Sequence, residues 1–212
     1  MCGINRIVQF LLLHGWCLLL ITAMPLHFDE NICSNTSDCN DNTTQIGCQI
    51  HYKLKELASE ARHLFDLYVE GQGFNRLKVD QICDIVNVHF PKFDVNNTSE
   101  KEKMVELFQI FSYLNASVGN ITKDQKELNP KKEKMLRELN KTLYGIKGIL
   151  SNLSCFLCKR YHVTHVNVHY GTPSAHNKLD QKLKGCKVLK KYKHFIMEAA
   201  KTELPCQHGR AD

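Results

Sequence analysis

Nowhere in the 212 residues is there an uninterrupted apolar run of the length that crosses a bilayer, which is roughly 20 residues. The most apolar stretch, near the N-terminus, is broken by His14 and Gly15 and stops at Pro25 with no stop-transfer charges, so no membrane insertion is expected. Charge of one sign is also scarce. A net charge of +6 is far from that of a dedicated nucleic-acid binder, and no nucleic-acid partner is expected. Catalytic signatures are missing as well: there is no Gly-x-Ser-x-Gly elbow, no His-Glu-x-x-His and no phosphate-binding loop, so nothing places a nucleophile, a hydrolytic zinc or a nucleotide. The acidic residues fall on polar helix faces, where solvation is their default role. The chain reads as a protein that catalyses nothing and needs no cofactor.

What is present points outward from the cell. Arg6 precedes apolar runs from Ile7 to Leu13 and from Trp16 to Ile21, and a small residue follows at Ala23; residues 1–23 are expected to be a cleaved signal peptide. The mature chain, of a size for one domain, is expected to be secreted and extracellular. N-x-Ser/Thr acceptors stand at Asn35, Asn42, Asn96, Asn97, Asn115, Asn120, Asn140 and Asn152, a density that suggests a glycosylated surface. Cys2 and Cys17 leave with the signal peptide. Cys33, Cys39, Cys48, Cys83, Cys155, Cys158, Cys186 and Cys206 then form an even set in an oxidising compartment, enough for four disulfides whose pairing counting cannot supply.

Two groupings invite other chemistry. His162, His165 and His169 lie close in sequence to Cys158, but a zinc ion there would compete with a disulfide, so a polar loop is expected and no metal. Cys155-x-x-Cys158 has the spacing of a redox pair without the βαβ surroundings, so structural bridging is expected. Late lysines, Lys178, Lys182, Lys184, Lys187, Lys190, Lys191 and Lys193, read as a solvated helix face, with attraction to sulfated matrix glycans as the second reading.

Four apolar stripes at steps of three and four predict four helices. The first runs Ile46, Ile50, Leu54, Leu57, Ala61, Leu64, Tyr68 and stops at Gly71. Ser99 and Glu102 form a capping box before Met104, Leu107, Phe108, Phe111, Leu114 and Val118. A polar break follows at Lys123 to Leu128, after which Asn129 can cap and Pro130 can fill the first turn of a stripe through Leu136, Leu139, Leu143, Ile146, Leu150, Leu153 and Leu157. The last is Leu179, Leu183, Cys186, Leu189, Tyr192, Ile196 and Ala200. The first and third links, of about 27 and about 15 residues, are long enough to span a helix of about 39 Å, whereas the middle one is too short. Long, short, long predicts an all-α four-helix bundle with up-up-down-down topology, the arrangement typical of growth hormones and cytokines. The divisions are a tail at 24–45, the bundle at 46–200 and a second tail at 201–212.

Particular strings go further. Val118-Gly119-Asn120-Ile121-Thr122-Lys123-Asp124-Gln125-Lys126, Leu128-Asn129-Pro130 and Lys159-Arg160-Tyr161-His162-Val163-Thr164-His165-Val166 closely resemble the leukaemia inhibitory factor family of the interleukin-6 group of long-chain helical cytokines. So do Leu64-Phe65-x-Leu67-Tyr68, Leu150-Ser151-Asn152 and Lys191-Tyr192-Lys193. The resemblance implies a monomeric growth factor that engages the leukaemia inhibitory factor receptor and the shared glycoprotein 130 subunit and starts Janus kinase signalling. It implies the pairs Cys33–Cys158, Cys39–Cys155 and Cys83–Cys186. Cys48 and Cys206 have no counterpart in that pattern, but an up-up-down-down path brings the start of the first helix beside the end of the last, so a fourth pair is expected there.

The resemblance also implies two receptor sites. Gln49, Lys53, Gly148 and Asn152 correspond to the face used for the shared subunit, with Lys53 replacing a neutral amide. Because a glycan on Asn152 would obstruct that face, Asn152 is expected to stay unmodified. Leu179 and Lys182 correspond to the Phe-x-x-Lys that meets the specific receptor, with leucine replacing the ring; for Leu179 the competing reading is a first-turn core residue. The rival function is a secreted non-signalling binding protein, a lipid carrier or matrix-glycan-bound factor, which would need an internal cavity that these Leu, Ile and Phe stripes can fill.

Overall fold

The computed structural model describes residues 27–34, 39, 42–93, 99–202 and 206. The expected signal peptide and the acceptors Asn35, Asn96 and Asn97 lie outside the described residues.

Strand β1 (His27–Asn31) precedes helix α1 (Thr43–Gln72). Asn42 opens α1 as an N-cap, its side chain accepting from the Gln45 N–H at 2.8 Å, which satisfies one of the orphan donors of the first turn. Gly73, at φ 70°, closes the helix in the left-handed conformation that glycine adopts without a Cβ penalty. The long link that follows is not featureless. It holds a 3₁₀ turn (Arg76–Lys78) and a short helix α2 (Val79–Asp84).

Helix α3 (Glu100–Leu128) starts at the expected capping box, with both reciprocal bonds between Ser99 and Glu102 formed. It differs from the sequence reading at its other end. Lys123 to Leu128 continue the helix, because the polar residues on its inner side find partners: buried Gln125 accepts from Gln72 Nε2 and from Asn129 Nδ2, each at 2.7 Å. Asn129 therefore ends α3, its N–H donating to the Gln125 carbonyl at 2.9 Å, and does not cap the next helix. Helix α4 (Glu133–Tyr161) begins after Lys132 with no side-chain cap. Its buried edge is also rotated from the leucine stripe, to Met135, Leu139, Thr142, Ile146, Ile149, Leu153 and Phe156. Leu136, Leu143 and Leu150 are only half-buried. Strand β2 (His165–His169) leads to helix α5 (Lys178–Ala199), where Leu179 is 61% exposed and is not a core residue.

α1 and α3 each pack against both α4 and α5. At one end Gln72 of α1, Gln125 of α3 and Met135 of α4 meet, and the Tyr68 hydroxyl donates to the Lys182 carbonyl near the start of α5 at 3.1 Å. At the other end Cys48 in the first turns of α1 is joined to Cys206 beyond α5, and Cys33 and Cys39 ahead of α1 are joined to Cys158 and Cys155 late in α4. These are the end-to-end contacts an up-up-down-down path makes. Cys83 of α2 is joined to Cys186 of α5. The four bridges span Cα separations of 5.8, 5.6, 4.6 and 5.1 Å, within the ordinary reach of a disulfide. Ile50, Leu54, Phe111, Ile146 and Ile196 are fully buried between the helices, and each such side chain contributes about 1.5–3 kcal/mol of burial.

β1 and β2 pair antiparallel, from His27 opposite His169 to Asn31 opposite His165. Val166 and Val168 alternate inward against α3, and Gln109 Nε2 of α3 donates to the Asn167 carbonyl at 2.7 Å. The stretch expected as a polar loop is thus half of a two-stranded ribbon that clasps α3. Among the described residues no helix is long and apolar enough to cross a membrane.

Candidate receptor-binding surfaces

Gln49 and Lys53 stand one turn apart on α1, and Gly148 and Asn152 one turn apart on α4, so each pair presents to one side of its helix. Glycine lets the two helices approach closely there. A Cβ on Gly145 would meet Leu57 Cδ2 at 2.8 Å, and one on Gly148 would lie 3.2 Å from Lys53 Nζ. The structure therefore brings Lys53 and Gly148 together, forming a shallow saddle over which the lysine lies. Gln49 and Asn152 are half-buried, and the Asn152 Nδ2 atom is buried without a hydrogen-bond partner. Two neighbours were not singled out from the sequence. Tyr52, beside Lys53, is 57% exposed, and Tyr144, one turn before Gly148, is 77% exposed. Their signal was available: aromatic rings on polar faces of amphipathic helices, the residue type that anchors interfaces.

The second surface is built at the start of α5. Asn177 caps the helix, its side chain accepting from the Asp180 N–H at 2.8 Å and donating to the Asp180 carboxylate at 2.7 Å; an acid in the first turn also complements the helix dipole. This holds Leu179 outward. Lys182, one turn on, is half-buried and on the side of α5 that faces α1, since Lys193, eleven residues later on the same side, covers the Phe65 ring of α1 at 4.5 Å. Lys53 and Tyr68, which mark the two surfaces on α1, are separated by about 22 Å of helix rise.

The family model described as the LIF / OSM family matches residues 45–202. The chain belongs to this family. The match takes in the four long helices except the first two residues of α1 and contains Gln49, Lys53, Gly148, Asn152, Leu179 and Lys182, while Cys33, Cys39 and Cys206 fall outside it.

In this LIF / OSM family cytokine the other expected positions are distributed as follows. Asn140 is exposed, its Nδ2 donating to the Leu136 carbonyl at 2.8 Å. Asn120 Nδ2 donates to the Thr172 carbonyl at 2.9 Å, Asn115 Oδ1 is buried without a partner, and Asn42 is the α1 cap. His162 is the left-handed C-cap of α4 at φ 52°, His165 begins β2, and His169 ends it against His89, with ring centres 5.0 Å apart. The structure does not gather the three imidazoles, and Cys158 is in a disulfide. Among the described residues no group of three or more His, Cys, Asp or Glu could hold a metal ion.

The late lysines divide by partner. Lys187 pairs with Asp84 at 2.5 Å, and Lys190 with Asp80 at 2.9 Å and Asp84 at 3.1 Å. The Lys187 and then the Lys190 hydrogen bond hold the Asp84 carboxyl below the ordinary range, and Lys190 does the same for Asp80. The Lys191 pKa is lowered as well, by burial first and then by the charge of Lys187, a shift that works against its charged form.

Proposed function

We propose that this LIF / OSM family cytokine is exported and acts by bridging two receptor chains. The shared glycoprotein 130 subunit would dock on the α1/α4 saddle through Gln49, Lys53, Gly148 and Asn152, and the leukaemia inhibitory factor receptor at Leu179 and Lys182. Holding both at once raises the local concentration of one receptor's cytoplasmic Janus kinase near the other's. The observation that carries this reading is the separation of the two surfaces, about 22 Å along a bundle whose α1, α4 and α5 are each held by disulfides to the segments around them, so that neither receptor needs to displace the other. Loss of the family ring at Leu179 shifts weight onto Lys182, since leucine is a poorer hot spot than an aromatic. Secretion is supported by family membership and by four disulfides, which persist in oxidising compartments. The carrier reading has no comparable support, because Ile50, Leu54, Phe111, Ile146 and Tyr192 occupy the interior between the helices.

Biolayer interferometry of the purified mature protein against the two ectodomains, separately and then in sequence, tests the proposal. Simultaneous binding of both supports bridging. Binding to neither, with ectodomains of the same species, defeats it, and unchanged binding of Lys182→Ala to the specific receptor moves that site elsewhere.

A further inference from the structure

A basic cleft opens on the side of α5 turned away from Lys182. Its floor is α3, one wall is the loop from Asn87 to Lys92, and the other is the end of β2 together with α5. Two adjoining hollows of about 290 and about 520 Å³ share Asn87, Val88, His89 and His169. The first reaches Lys184 and the second Lys92 and Lys191. Apart from the neutral phenols of Tyr113 and Tyr170, the charged and titratable groups that line them are three lysines and two imidazoles against one carboxylate, Glu106. Asp124 and Asp84 contribute only at a distance, Asp124 feeling Lys184 and Asp84 feeling Lys191.

The balance is uneven because the nearby acids are spent elsewhere. Asp80 and Asp84 are engaged by Lys187 and Lys190. Lys191 is left with weaker company, the Val88 carbonyl at 3.4 Å and the Phe90 ring at 5.8 Å. Burial and Lys187 lower its pKa, so a bound anion would relieve a cation that the fold holds at a cost.

We infer that this cleft binds a sulfated glycan chain. Lys184 and Lys191 lie two turns apart on the same side of α5, about 10 Å along the axis, and Lys92 comes from the facing wall. Such a spread suits an extended polyanion better than one compact phosphate, for which convergent backbone N–H groups are the usual cradle. The uncharged lining fits a sugar: Asn87 offers an amide, and Tyr170 at 52% exposure offers a flat apolar face with a polar edge. The inference depends on export to where such glycans are, and not on receptor bridging. Lys184 and Lys191 lie on the other side of α5 from Lys182, so glycan and specific receptor would occupy different faces.

Isothermal titration of the full mature protein with a heparin-derived octasaccharide near physiological salt tests it, with inorganic sulfate as competitor. The parent is expected to bind saturably, and millimolar inorganic sulfate to compete poorly. Lys184→Gln with Lys191→Gln should weaken binding about tenfold, the loss of two charge-assisted contacts. Lys131→Gln with Lys132→Gln, which removes the same charge at the turn between α3 and α4, should change it less than about twofold. Exposed Lys92→Gln is the fallback should the first pair unfold, and a weakening there supports the site equally. No binding by the parent, equal weakening by both pairs, or full displacement by inorganic sulfate would overturn the inference. Receptor interferometry reads separately, so failure of bridging leaves this result standing.

Discussion

The end of the Lys53 side chain lies across Gly148: a Cβ on that glycine would stand 3.2 Å from Nζ and 3.3 Å from Cε. The atoms in the way belong to the mobile end of a long side chain, so a methyl group displaces them cheaply. Gly148→Ala should fold as well as the parent or better, because alanine is favoured over glycine in a helix interior by about 1 kcal/mol. Gly148→Lys fills the saddle and sets a like charge beside Lys53. Its binding to glycoprotein 130 should fall by at least about tenfold, a loss of about 1.4 kcal/mol, while its melting curve and its binding to the specific receptor stay near those of the parent. Undiminished binding of Gly148→Lys to the shared subunit would remove the α1/α4 face from the proposal.

Asn152 shares this face and carries a glycan acceptor sequence. A glycan is attached through Nδ2, and that atom is buried between neighbours with no partner of its own. Peptide mass spectrometry of active protein should find Asn152 bare, and Ser154→Ala, which deletes the acceptor, should leave receptor binding unchanged. Full occupancy at Asn152 in active material would place the shared-subunit site elsewhere.

The helices were readable because amphipathic stripes are local, and a capping box such as Ser99 with Glu102 announces itself within four residues. What escaped was non-local. The end of α3 looked like a break because Lys123, Lys126 and Glu127 face solvent, and nothing nearby in sequence reveals that Gln125 bonds with Gln72 on another helix. The leucines of α4 set the stripe one position off, because Met135, Thr142, Ile149 and Phe156 are buried instead, and no threonine advertises itself as core. The β1–β2 ribbon joins two five-residue segments far apart in the chain, too short for alternation to signal. The saddle itself was foreshadowed only by family resemblance. Periodicity puts Lys53 and Gly148 on their own helices but cannot say that those sides meet.

The bridge between Cys48 and Cys206 ties the chain beyond α5 to the first turns of α1. Its effective loop is shorter than the sequence separation suggests, since a covalent path already runs through Cys83 and Cys186. Replacing both residues with serine should therefore cost at most about 4 kcal/mol in the chain-entropy model, with the other three bridges intact and the bundle still folded. Thermal melting measures the loss. Mapping without reduction should find neither cysteine alkylated in the parent, and a free thiol at either position would refute the pairing.

Asp84 makes a pH-dependent tether. Its carboxyl is held below the ordinary range first by Lys187 and then by Lys190, so it is a stronger acid in the folded chain than in the unfolded one. A group shifted in that direction stabilises the fold wherever the unfolded carboxyl is ionised, above about pH 4. The contribution is lost as pH falls through the folded value, when both states carry the same proton. Asp84→Asn should accordingly melt below the parent at neutral pH, and the gap should close as the pH is lowered toward about 2. Both partners are near the surface, so added salt should narrow the gap at neutral pH as well. A gap that persists unchanged at low pH would mean that Asp84 acts through packing or its backbone position and not through its charge.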